Sequence, residues 1–109
     1  MSEITVPELM SRMPKAFQPE KAAGVDAVIQ YHLTGEEGGD WIITIKDGQC
    51  TVVEGEADNA NMTLTADAQD YKEVILGKTD AMQAFMKGKI KLAGDLNLAM
   101  KLPNFFKMR

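Results

Sequence analysis

At 109 residues the chain can build one modest hydrophobic core but not two, and its 45% apolar and 26% charged side chains are the proportions of a globular domain. A net charge of -4 excludes the broadly basic surface that a nucleic-acid partner would need. One cysteine, Cys50, and one histidine, His32, exclude a disulfide within the chain and leave no recognisable ligand spacing for a metal site.

The first helix is expected from Thr5 and Glu8, a T-x-x-E capping box with Pro7 in the first turn, and from Leu9, Met10, Met13 and Phe17 at helical spacing. Pro14 should kink or shorten it, and Pro19 should end it. VDAVIQYHL then alternates Ile29, Tyr31 and Leu33 against Val28, Gln30 and His32, as a half-buried strand does. The polar loop TGEEGGD leads into WIITIKDGQCTVVEG, in which Asp47 and Gly48 suit a two-residue type I′ turn between strands. Trp41, Ile43 and Ile45 should share a face with Cys50 and Val52. After an acidic loop, MTLTAD is a fourth strand with Met62 and Leu64 on one side and Thr63 and Thr65 on the other.

Two short helices follow. Asp67 should cap the first, with Tyr71, Val74 and Ile75 on one face and Gly77 at its left-handed end; Thr79 or Asp80 should cap the second, with Met82, Phe85 and Met86 as its inner face and Gly88 closing it. KIKLA is a fifth strand with Ile90 and Leu92 inward, and Asp95 caps a last helix that breaks at Pro103 before Phe105 and Phe106. The whole order predicts a single α+β domain, a five-stranded, mostly antiparallel sheet with helices on one face.

Conventional catalytic chemistry is thinly represented. Glu36, Glu37 and Asp40 lie among glycines and Glu54, Glu56 and Asp58 follow a strand end, so both groups are solvated loops; Asp67, Asp70 and Asp95 serve as caps. No phosphate-loop pattern and no Ser-His-Asp set is present. Cys50 is expected as a small inward-facing residue with an inert thiol, and His32 as structural. No cofactor or metal is implied.

What remains is apolar surface. The inward positions include Met10, Met13, Met62, Met82, Met86 and Met100 with Phe17, Tyr71, Phe85, Phe105 and Phe106, and methionine adapts to variable apolar shapes. Either these residues form the core, or they wall a deformable cavity. Charge is segregated as well: Lys87, Lys89, Lys91, Lys101, Lys107 and Arg109 oppose only Asp95, whereas the preceding residues are strongly acidic. A segment both basic and apolar favours transient contact with an anionic membrane surface or an acidic headgroup; otherwise it is a solvated strand face and a helix end.

F-x-P-x-K-A-A-G at 17–24, W-x-I-x-I-x-D-G at 41–48, V-x-G at 53–55, MTLTAD at 62–67, L-G at 76–77 and A-F-M-x-G-K-I-K-L-x-G-D at 84–95 together resemble the sterol carrier protein 2 family of non-specific lipid-transfer domains, in its stand-alone bacterial type. The resemblance spans about residues 15–106 and implies that 1–109 is one lipid-binding domain with an apolar tunnel between sheet and helices. It implies a non-catalytic carrier of fatty acid, fatty acyl-CoA, sterol or phospholipid. The lining it implies comes from Ile43, Val52, Leu64, Ile90 and Leu92 in the sheet, and from Tyr71, Val74, Ile75, Met82, Phe85 and Met86 on the middle helices. Met100, Leu102, Phe105 and Phe106 complete it as a C-terminal lid. The alternative is an interaction or accessory module whose segment LNLAMKLPNFF docks on a partner or a second copy, the chain being a monomer or weak dimer. MSEITVPEL lacks a leader pattern, no stretch approaches the roughly 18 apolar residues of a membrane span, and NFFKMR lacks a peroxisomal or prenylation signal, so a cytoplasmic setting is expected.

Overall fold

The computed structural model describes residues 5–36 and 38–107. Glu37 and Arg109, read above as a loop acid and a member of the basic segment, lie outside them. Helix α1 (Val6–Ala16) starts where Thr5 accepts a hydrogen bond from the Glu8 backbone at 3.3 Å. Pro14 sits in its last turn, where it forgoes the N–H bond to the carbonyl four residues back, and the helix ends two residues later, with extended Phe17 as its cap, before Pro19 opens a short 3₁₀ turn.

Strands β1 (Ala27–Thr34), β2 (Gly39–Lys46), β3 (Gln49–Glu54), β4 (Met62–Asp67) and β5 (Ile90–Gly94) form one sheet in the order β3-β2-β1-β4-β5. Three of its pairings are antiparallel; β1 and β4, the inner pair, run parallel. Strand β2 begins at Gly39, within the expected loop, because β1 keeps pairing back to Leu33↔Gly39. The β2–β3 turn has φ of 53° at Asp47 and 73° at Gly48, the two left-handed residues of a type I′ hairpin, and it sets the register Ile45↔Cys50 and Ile43↔Val52.

Helices α2 (Ala68–Ile75), α3 (Ala81–Met86) and α4 (Leu96–Lys101) are capped by Asp67, Asp80 and Asp95, each accepting a backbone N–H at 2.8–3.1 Å. Gly77 and Gly88, both near φ 80°, end α2 and α3; Lys78 N–H bonds to Glu73 carbonyl and Lys89 N–H to Ala84 carbonyl. Leu102–Phe105 continues α4 as a 3₁₀ turn. The helices gather over the face carrying Ile29, Tyr31, Leu33, Ile43, Ile45, Met62, Leu64 and Ile90, which joins Val6, Met10, Met13, Tyr71, Ala84, Leu98 and Phe105 in one core.

The opposite face is more polar, and the chain after β3 crosses it. There Gln30, only 3% exposed, donates from Nε2 to the carbonyls of Tyr31, Trp41 and Gly55 and accepts the Ala57 N–H at 2.6 Å. Asn61 makes a second clamp: its side chain accepts from Val28 N–H, its own N–H bonds to Val28 carbonyl, and its carbonyl accepts from Asp95. Gly94, at φ 91°, allows that approach, since a Cβ there would meet Asn61 O at 2.5 Å. Gln30→Met keeps the volume but strands the Ala57 N–H and loosens the crossing, and should cost about 1–3 kcal/mol. Urea unfolding of the variant against the parent chain measures that loss.

Candidate functional site

The helical layer leaves a cavity of about 510 Å³ over the β1–β4–β5 half of the sheet, within the range of roughly 300–1,000 Å³ typical of small-molecule sites. Its floor is Tyr31, Met62, Leu64, Ile90 and Leu92. Tyr71, Val74 and Ile75 of α2 and Phe85 of α3 form one wall, and the link between these helices adds Gly77, Thr79 and Asp80. Met13, Ala99, Leu102 and Phe106 form the other side. The caps explain the shape: each glycine stop ends its helix after about two turns, so neither α2 nor α3 extends far enough to fill the space.

Of the residues expected to line a site, Leu64, Tyr71, Val74, Ile75, Phe85, Ile90, Leu92, Leu102 and Phe106 meet at this cavity. Ile43 and Phe105 are buried elsewhere in the core, and Val52 is half-buried on the edge strand β3. Met82, Met86 and Met100 face outward, 53%, 77% and 68% exposed. Spacing alone put Met82, Phe85 and Met86 on an inner face of α3, yet the buried residue is Ala84, fully covered beside β5; a six-residue helix held between two caps turns its small residue to the core. Tyr31, Met13 and Met62 were readable as inward residues but not as lining, because that requires knowing where the helices stop. Gly77, Thr79 and Asp80 carry no such sequence signal beyond their place next to caps, and Ala99, within α4, carries none.

The far end of the chain closes one wall. Phe17 and Phe106 form an antiparallel bridge with ring centroids 5.6 Å apart, Gln18 N–H bonds to Phe105 carbonyl at 2.7 Å, and Lys107 N–H bonds to Ala16 carbonyl at 2.9 Å. The segment expected as a lid is thus stitched to the end of α1, and Ala99 and Leu102 are held against the cavity by it.

Polar groups in the lining are few. Tyr71 donates to the Tyr31 hydroxyl at 3.4 Å, with the rings edge-on at 5.2 Å, joining α2 to β1 through the buried layer. Burial pushes the Tyr31 phenol up to about 12 and the Tyr71 phenol well above its ordinary 10, so both stay protonated at neutral pH. Asp80 is exposed at the rim and is spent as the α3 cap. Among the described residues, no cationic side chain lines the cavity.

The remaining chemistry is scattered. Burial pushes the Cys50 thiol up to about 11, which keeps it protonated and a poor nucleophile at neutral pH. His32 is on the other side of the sheet, its Nδ1 2.6 Å from Asp40 Oδ1, so the structure does not bring Cys50 and His32 together. His32, Asp40 and Glu56 place one ligand-type atom each within 4.8 Å, on that same face and away from the cavity.

Fold and cavity together define a small α+β domain with a mainly apolar internal site. A family model described as the SCP-2 sterol transfer family matches residues 8–107, and the chain belongs to that family. It is 36% identical over 96 residues to hydroxysteroid dehydrogenase-like protein 2 of Xenopus tropicalis, which covers 87% of this chain and 23% of that protein. The chain thus spans about a quarter of that relative's length. Palmitated SCP2L2 from Aedes aegypti superposes with a TM-score of 0.73 at 28% identity, covering 93% of each chain. The sec-alkylsulfatase Pisa1 from Pseudomonas sp. shares the fold at a TM-score of 0.78 and 21% identity, over 97% of this chain and 17% of that one.

Alkali tests the burial of the phenols. Tyr31 has a folded pKa above its unfolded value, so the stability it contributes is complete below about pH 10 and is lost as pH rises through about 12. Thermal unfolding followed from pH 8 upward should show a steady fall in midpoint beginning near pH 10, and Tyr31→Phe should make the fall shallower, with the share of Tyr71 remaining.

Proposed function

We propose that the chain is a non-catalytic carrier that takes a lipid of the fatty acid, fatty acyl-CoA, sterol or phospholipid kind into the cavity between sheet and helices. The observation that carries this reading is the cavity itself, about 510 Å³ and walled mainly by Met, Leu, Ile, Val and aromatic side chains. Burying an acyl chain is favourable by about 0.8 kcal/mol per methylene, so such a ligand needs few directional contacts. The relative from Aedes aegypti, palmitated and matched along its length, supports the same reading. A charged headgroup would remain at the surface, where Lys87, Lys101 and Lys107 are exposed.

Docking of LNLAMKLPNFF on a partner is less well supported. Leu98, Leu102 and Phe105 are already buried and Phe106 is half-buried, which leaves Leu96 and Met100 as its large exposed apolar side chains. Those two, with Met82, Phe85 and Met86 of α3, lie on elements that border the cavity, and exposed Lys87 and Lys101 follow Met86 and Met100 in the chain. Apolar side chains among lysines, on a chain of net charge -4, match an anionic lipid surface, and we propose that the carrier exchanges its ligand there.

Two measurements check these readings. Displacement of a fluorescent fatty acid should report binding by the parent chain, and Leu64→Trp, which fills the floor of the cavity, should weaken it at least tenfold (about 1.4 kcal/mol) while the protein remains folded. No binding at tens of micromolar would sink the carrier reading. Sedimentation with vesicles should show association when phosphatidylserine is mixed into phosphatidylcholine, weakened by salt and by Met86→Glu with Met100→Glu. Equal binding to both vesicle types, or a dimer by light scattering that the same substitutions dissolve, would assign the surface to another occupant.

A further inference from the structure

We propose that the Tyr31–Tyr71 pair is a recognition point for an uncharged oxygen on the ligand, the hydroxyl or carbonyl of a long-chain or ring alcohol, aldehyde or ketone. The proposal rests on the carrier reading and specifies which end of the ligand enters the cavity.

Two phenols carry two O–H protons, and a hydrogen bond between them uses one. Tyr31 and Tyr71 are 2% and 3% exposed, both line the cavity, and their hydroxyls are 3.4 Å apart. Among the described residues neither hydroxyl has another hydrogen-bond partner. Whichever phenol donates to the other, one proton is left beside an apolar cavity without a protein acceptor. Buried donors are almost always paired, and an unpaired one is costly, so the pair is incomplete as it stands.

A ligand oxygen placed beside the pair would accept that proton. An alkyl end would leave it unpaired. A carboxylate is a poor fit at the same point, since no cationic side chain lines the cavity and the charged lining residue, Asp80, is itself acidic. High phenol pKa values keep the site a donor rather than a base at neutral pH. The ligand this chemistry selects therefore has a neutral oxygen at the end that goes in, with hydrocarbon running past Leu64, Ile90 and Leu92.

The test compares 1-dodecanol with dodecane as displacers of a fluorescent fatty acid from the parent chain and from a Tyr31→Phe, Tyr71→Phe variant. Removing both hydroxyls while retaining both rings should weaken dodecanol about tenfold and leave dodecane binding equal or tighter. Equal weakening of the two displacers, or of neither, overturns the proposal. Failure of the fluorescent fatty acid to bind the parent chain at all overturns the carrier reading instead. A second measurement needs no variant: in the parent chain, through-space NMR contacts should join the carbinol protons of dodecanol to the ring protons of Tyr31 or Tyr71. Contacts of those protons with Phe85, Leu102 and Phe106 alone overturn the proposal.

Discussion

A sheet with one apolar face must be covered, and here the covering helices are too short to cover all of it. At about 1.5 Å per residue, the eight residues of α2 reach roughly 12 Å and the six of α3 roughly 9 Å. Helix α1, with eleven residues, packs on the β3 side and brings Val6, Met10 and Met13 into the core. Over β1, β4 and β5 the layer is made of short helices and their links, and the space between them is the cavity. The helix stops are set locally, by Asp67 and Asp80 at the starts and Gly77 and Gly88 past the ends, so the cavity is a consequence of capping chemistry.

Such a space lowers stability, because its lining lacks the contacts a filled core would provide. The sheet is held by groups that do not depend on the lining. Gln30 ties the crossing chain to β1 and β2 from the far face, and Asn61 ties the entrance of β4 to β1 and to the exit of β5. A ligand that occupies the cavity then adds stability by mass action, without having to organise the sheet first.

The local chemistry was legible in the sequence. The alternation in VIQYHL did not need to be long, since Ile29, Tyr31 and Leu33 already set the inward face of β1, and Asp47-Gly48 fixed a hairpin and its register. Aspartate caps and glycine stops placed three helices to within a residue or two. What local pattern does not contain is which neighbour a strand takes and which side a short helix turns inward. The parallel β1–β4 pairing depends on the intervening hairpin closing elsewhere, and α3 buries Ala84 because its ends are fixed by its caps. Gln30 looks like an ordinary outward residue in an alternating strand; its burial comes from chain that returns over it more than twenty residues later, at Gly55 and Ala57.

The misfit of α3 changes what its methionines do. Had Met82 and Met86 turned inward, they would have taken up part of the space beside Ile90 and Leu92. Turned outward, they leave the cavity open to a ligand and add flexible apolar surface next to Lys87 and Lys89, on the basic part of an acidic chain. One rotation of a six-residue helix therefore couples the two features that set this domain apart from a packed α+β core. The short helix that leaves the volume inside unfilled is also the one whose methionines lie on the surface outside, while other side chains line the cavity.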